Sequence, residues 1–396
     1  MIDGALSQSE LTFEWVHIAY EERRQFVDTY GFSGSQNHVN LEGVLIKPAG
    51  RASRTLLVFM HPASTLQLLP VPQAAARAGA HVLCAGSRYA RNDTAAIFEN
   101  IVLDLGAYVS HAKKIWGYER IVLVGWSGGG SLALLYQAEA EHPTITQTPA
   151  GDAVDLTSAA LIPADAVIFQ AAHTSRARLL AESIDPSVID EFDPDSRDRA
   201  LDLYDPRNPN QPPYSPDFIA HFRAAQLARV RRITVRVRDT LEQLKSRNTA
   251  EHERGFVTHR TLADPRFLDE RLDPNDRRKG WCYLGNPETV NSGPVGLARF
   301  STLRAWLSQW SMEDTRADGL SCVGRIKAPL LVIENSADDA VPQPHCREIY
   351  DAAVSLDKSF AVIGGASHYY AGQPDKLEAV TRLTWDWLQR RALIEA

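Results

Sequence analysis

Apolar and polar positions along this chain fall into two regimes. FEWVHIAY and HVNLEGVLIKP alternate with the period of two that marks half-buried strands. TLLVFMH at 55–61, AHVLCAG at 80–86 and RIVLVGW at 120–126 are instead unbroken apolar runs, the pattern of strands covered on both faces in a parallel sheet. Between the runs the apolar spacing lengthens to that of a helix. Pro70 and the Ala-rich PQAAARAG predict a short helix closed by Gly79. Asn92 or Asp93 offers a cap for a helix carrying Ile97, Ile101, Leu105, Tyr108 and Val109 as far as Trp116. After RIVLVGW the glycines make a sharp turn, and SLALLYQAEAE runs as a helix to Glu141. ADAVIFQAAH at 164–173 reads as one more buried strand.

From 174 to 321 the pattern changes: Arg and Asp become dense, PRNPNQPPYSPD interrupts the chain, and helical stretches replace the strand–helix alternation. The alternation returns at APLLVIENSADDAVP and SFAVIGGASHYY, before a last amphipathic helix with Leu377, Val380, Leu383, Trp385 and Leu388. The pattern predicts an α/β chain. Residues 1–172 and 322–396 form a core with a mostly parallel central sheet flanked by helices, and 173–321 form an inserted, mainly helical cap.

Composition narrows this picture only modestly. A chain of 396 residues suffices for one large core and a lobe. Hydrophobic residues at 44% and charged residues at 23% are ordinary for a globular protein, and a net charge of −7 gives no reason to expect nucleic acid or a membrane surface as partner. MIDGALSQSELTFEW has neither the basic start nor the apolar run of a secretory signal, and no later stretch approaches the ~20 apolar residues of a spanning helix. Cys84, Cys282, Cys322 and Cys346 are scattered, without a CxxC pair or zinc spacing. A cytoplasmic protein is expected. No phosphate-loop, H-E-x-x-H or G-x-G-x-x-G pattern occurs, so neither cofactor nor metal is expected.

One motif carries chemistry in its required setting. Gly125-Trp126-Ser127-Gly128-Gly129 fits G-x-S-x-G, with an apolar strand directly before it and a helix directly after. A serine on so tight a turn projects its hydroxyl above the sheet, which demands small residues at the flanking glycine positions. The helix that follows aims backbone N–H groups at the place where an oxyanion forms, which makes Gly128 the first candidate donor. A hydroxyl is a poor nucleophile near neutral pH, so an imidazole must take its proton and a carboxylate must orient that imidazole. His368 lies in the Gly-rich loop GGASHYY, and Asp338 and Asp339 lie at the exit of the preceding strand. The order Ser, Asp, His is that of one hydrolase fold.

On Ser127, the two acids and His368, the sequence resembles the α/β-hydrolase superfamily over roughly 30–172 and 322–396, with 174–321 where that family carries its cap. The resemblance implies a serine hydrolase of esterase or lactonase type. Its Asp-x-x-x-Pro loop pattern, ending here at Pro342, selects Asp338 and leaves Asp339 second. The family's other oxyanion donor follows a His-Gly pair after the third strand. Here that place reads His61-Pro62-Ala63-Ser64, and because Pro62 has no N–H, Ala63 is the amide expected to serve. Ser64 adds a hydroxyl or caps the turn. His61, Trp126, Arg88, Tyr89 and His173 are the remaining residues placed where they would line a substrate pocket, each with a structural role as the alternative.

In the cap, Trp281, Tyr283, Phe300, Trp306 and Trp310 form either a pocket wall or the lobe's own core. The arginines of RVRRITVRVRD read as a solvated helix face or an interface, which would suit a homodimer. The expected substrate is a small, partly apolar ester or lactone. Carbon–carbon bond hydrolysis, acyl transfer and ligand binding without turnover are the alternatives.

Overall fold

The computed structural model describes residues 10–22, 27–29, 32–34, 38–247, 249–294 and 296–395. The first nine residues, part of the segment read above for a secretory signal, lie outside the described residues. Eight strands form one sheet: β1 Leu11–Glu21, β2 His38–Pro48, β3 Thr55–His61, β4 His81–Gly86, β5 Arg120–Trp126, β6 Ala166–Gln170, β7 Leu330–Asn335 and β8 Lys358–Ile363. Their spatial order is β1-β2-β4-β3-β5-β6-β7-β8. β1 and β2 run antiparallel, in register from Leu11 opposite Pro48 to Glu21 opposite His38. β2 is antiparallel to β4, and the strands from β4 to β8 are parallel. This is the sheet of the α/β-hydrolase fold. The core helices are α1 Pro70–Arg77, α2 Phe98–Lys114, α3 Gly129–Glu141, α4 His345–Ala352 and α5 Pro374–Gln389.

The unbroken apolar runs are explained by burial on both sides. In β3, Leu56, Val58 and Met60 pack on one face with Leu105, Val109 and Leu134, while Leu57 and Phe59 pack on the other with Ala76, Val380 and Trp387. Alternate side chains of a strand point to opposite faces, so both sets must be apolar when helices cover both. α1 ends as expected, with Gly79 just beyond it at φ +118.

α2 starts later than its capping residues suggest. It begins at Phe98, after a turn in which Asn92 accepts the Thr94 N–H and Asp93 accepts that of Ala96 through its carbonyl. The Asp93 carboxylate is taken by Arg176, so it does not cap the helix.

The chain leaves the sheet after Gln170 and returns at Leu330. The intervening segment carries helices Arg176–Ser183, Pro216–Arg247, Pro287–Ser292, Leu303–Gln309 and Gly319–Val323. Trp306 and Trp310 stack at 4.8 Å between ring centres and lie fully buried with Val230, Ile233 and Val237, so these two aromatics serve the segment's own core. The arginine run lies on Pro216–Arg247 and is paired within the segment: Arg229 and Arg232 to Glu191, Arg231 to Glu313, Arg238 to Asp314. Among the described residues no helix is long and apolar enough to cross a membrane.

Candidate active site

The parallel strands deliver their C-terminal ends to one edge of the sheet, and connections diverge on either side of β3, the position where such sheets collect ligands. β5 ends there in Trp126, and Ser127 follows at φ 55, in the left-handed region that side chains rarely adopt. Its N–H donates to the Gln170 carbonyl at 3.3 Å, and its carbonyl accepts from Gly130 N–H at 3.0 Å, which fixes the turn. A Cβ at Gly125 would lie 2.7 Å from the Gly129 carbonyl oxygen, and one at Gly129 would lie 2.3 Å from that of Met60. Both glycines are therefore demanded by backbone approach, as the motif predicts.

β7 and β8 supply the partner groups. His368 Nδ1 lies 3.0 Å from each carboxylate oxygen of Asp338, with both side chains almost fully buried. The Asp338 carboxylate also accepts the N–H groups of Ala340 and Val341 at 2.9 and 2.7 Å. Asp339 instead accepts the backbone N–H of His368, and burial raises its carboxyl above the usual range. Geometry thus separates the two acids and pairs the imidazole with Asp338.

The histidine loop is held from below by a buried chain of bonds. Gln170 donates to the Tyr370 hydroxyl, that hydroxyl donates to Asn335, and Asn335 donates to the Ser367 carbonyl, at 3.0, 2.7 and 2.9 Å. The Trp126 ring sits 4.5 Å from that of His368 and 5.3 Å from that of Tyr369.

A cavity of about 410 Å³ opens over Ser127. The structure brings His61, Ala63, Ser64, Trp126, Gly128 and His173 to its wall, all of them named from sequence. Arg88 and Tyr89 do not reach it. Arg88 is fully buried, its guanidinium held by Asp104 at 2.8 Å, by Glu22 at 3.0 Å and by Tyr20. The Tyr89 hydroxyl accepts from Asn100 at 2.8 Å inside the core. A buried guanidinium is stable only with carboxylates around it, and α2 and the end of β1 provide them. These two residues are structural.

A second departure concerns the loop after β3. The N–H groups of Ala63 and Ser64 both donate to His61 Nδ1, at 3.2 and 3.0 Å. The Ala63 amide is therefore directed at a side chain of its own loop and not into the cavity.

Sequence reasoning missed Arg176, Asp93, Leu179, Leu297 and Tyr369 on the wall. Arg176 follows the strand end at Gln170 and starts a helix, a position the ligand-edge rule would have flagged. Of the aromatics between Gln170 and Leu330, Tyr283 and Phe300 reach the cavity, whereas Trp281 does not. This segment is tied to the acid loop: Tyr283 N–H donates to the Asp339 carbonyl at 2.8 Å and Arg277 to that of Asp338 at 3.0 Å.

His173 lines the cavity, almost fully buried, with Nδ1 lacking a hydrogen-bond partner among the described residues. Burial, then the neighbouring His345 and Arg176, hold its imidazole neutral, well below the ordinary value.

No known protein-family model matches the chain, and no curated protein matches it by sequence. Solved structures are similar to it at TM-scores below 0.5. Brefeldin A esterase, a bacterial homologue of human hormone-sensitive lipase, superposes at TM-score 0.48 with 13% identity, over 99% of this chain and 80% of its own. The esterase domain of a Rhodothermus marinus protein gives 0.46 and 14%, over 95% and 98%. The monoacylglycerol lipase of Paleococcus ferrophilus gives 0.45 and 14%, over 88% and 98%.

Proposed function

We propose that the protein is a serine hydrolase that cleaves a carboxylic ester or lactone of a small, partly apolar molecule through an acyl-enzyme on Ser127. The observation that carries this reading is the pairing of His368 Nδ1 with both oxygens of Asp338, with the His368 ring 4.5 Å from that of Trp126, the residue before a serine held at positive φ at the end of β5. Ser127 Oγ attacks the substrate carbonyl while His368 Nε2 takes its proton. The negatively charged oxygen that results accepts the Gly128 N–H, at the start of α3. Collapse expels the alkoxide, which leaves as the alcohol with the proton that His368 took from Ser127. Water then attacks the acyl carbon and gives a proton to the same nitrogen, and as the second intermediate collapses His368 returns that proton to Ser127 Oγ and the acid leaves.

Asp338 keeps the proton on Nδ1, so that Nε2 is the nitrogen that works as a base. A hydrogen bond from Ser127 Oγ to that nitrogen is required once substrate fills the cavity. The size of the cavity, with Leu179, Leu297, Tyr283 and Phe300 on its wall, suits a small molecule with apolar parts better than a polymer.

The reading is tested with p-nitrophenyl esters of increasing chain length, a panel of lactones and a vinylogous diketone, using native protein and Ser127→Ala. Ester or lactone turnover that disappears in the variant supports it. Turnover that survives Ser127→Ala, or none on any ester or lactone, overturns it.

A further inference from the structure

β3 runs apolar to Met60 and ends on His61, and the next residue, Pro62, has no N–H to offer. The chain then turns so that the next two amides, of Ala63 and Ser64, point back at one ring nitrogen, His61 Nδ1. A ring nitrogen that receives two N–H donors presents a lone pair, and in a neutral imidazole the proton must then sit on the other nitrogen. Burial, then the nearby Arg176 and His368, push the His61 pKa down to about 3, so the ring is neutral wherever the enzyme would work. His61 is thus fixed as an Nε2–H donor with no base character of its own.

That donor lies beside the nucleophile. The ring is packed over Gly128, the residue after Ser127, so closely that a Cβ at Gly128 would be 2.6 Å from His61 Nε2. His61, Ser127 and Gly128 share the wall of one cavity. The Ala63 amide, which would otherwise be the second backbone donor to an acyl oxygen here, is occupied by Nδ1.

We propose that His61 Nε2–H, together with the Gly128 N–H, forms the oxyanion hole. This rests on the serine-hydrolase reading. The loop amides set the tautomer and orientation of a side chain that donates in their place. Because two hydrogen bonds hold the ring before substrate arrives, the donor needs no reorganisation as charge develops. A neutral imidazole polarising a carbonyl is a known catalytic device, with its proton placement set by its surroundings. The arrangement also accounts for Gly128, since a side chain there would displace the ring.

The test has two arms. Labelling of the full-length protein by a fluorophosphonate, and release of p-nitrophenol from p-nitrophenyl esters, both lost in Ser127→Ala, establish the nucleophile. Failure there is failure of the hydrolase reading. With that arm positive, His61→Ala is expected to lower kcat by about 10²- to 10³-fold, the usual result of deleting one oxyanion donor, with little change in KM. His61→Gln, which retains an N–H donor, is expected to recover part of the loss. His61→Ala at wild-type kcat overturns the proposal, as does a loss confined to KM.

Should the variants not fold, ¹⁵N-histidine NMR on the native protein decides. A protonated Nε2 on His61 across pH 5–9, with an Nε2–H proton signal that shifts when the phosphonate adduct forms on Ser127, supports the assignment. A proton on Nδ1, or a signal that the adduct leaves unmoved, overturns it.

Discussion

His368 Nδ1 lies 3.0 Å from both carboxylate oxygens of Asp338, and the same carboxylate is held by the N–H groups of Ala340 and Val341. An amide in place of the carboxylate retains an oxygen for the loop but no longer favours the working tautomer of the imidazole. Asp338→Asn is therefore expected to fold, shown by an unchanged near-UV circular dichroism spectrum, and to lose about 10⁴-fold in kcat on whichever ester the wild type cleaves. Asp339→Asn should lose much less. Equal losses in the two variants would count against the assignment of the acid.

Arg88 offers a contrasting expectation, because its charge is satisfied inside the core. Arg88→Met leaves Asp104 buried without its main partner and should destabilise the fold by about 3–5 kcal/mol in urea unfolding. KM for the substrate should stay at the wild-type value where the variant remains folded. A rise in KM without a stability loss would return Arg88 to the substrate pocket.

Glu99, in α2, is fully buried, and burial pushes its carboxyl up to about 7 from an ordinary 4.5. The folded state then keeps a proton that the unfolded state has already lost between those values. Stability accordingly falls as pH rises from about 4.5 to about 7 and is level above, with a total of at most about 3 kcal/mol from this group. Glu99→Gln removes the ionisation and should flatten this part of the profile, so the Tm difference between pH 5 and pH 8 should shrink. An unchanged difference would show that Glu99 ionises normally.

Gly129→Ala brings a methyl group to 2.3 Å from the Met60 carbonyl oxygen, a backbone atom that cannot rotate away. The strand end or the helix start must move, at a cost of about 1–3 kcal/mol or more. Thermal unfolding should show the loss, and kcat should drop with it because the same turn carries Ser127. By contrast, Gly151→Ala meets no atom within 4 Å but must adopt a φ of +84; its cost is a local conformational one, without an effect on kcat.

Much of this protein could be read from the order of its residues. The apolar runs of β3 to β7 had to be sheet strands because both faces are covered, and Gly125-Trp126-Ser127-Gly128-Gly129 between a strand and a helix fixed the place of the turn. These are local properties, set by the period of burial and by backbone sterics. The residues alone offered His368 with Asp338 or Asp339; it was the resemblance to the α/β-hydrolase superfamily, through its Asp-x-x-x-Pro pattern ending at Pro342, that selected Asp338.

Other features depended on what lies across the fold. Arg88 follows a strand at the ligand edge, yet Asp104 and Glu22, distant in sequence, draw it into the core. Asp93 was free to cap α2 until Arg176, from beyond β6, took its carboxylate. The Ala63 amide was the expected oxyanion donor, yet it donates to His61 Nδ1 in its own loop. In each case a polar group had two partners to choose between. Burial, which makes an unpaired charge or N–H costly, decided the choice through contacts that no local pattern records.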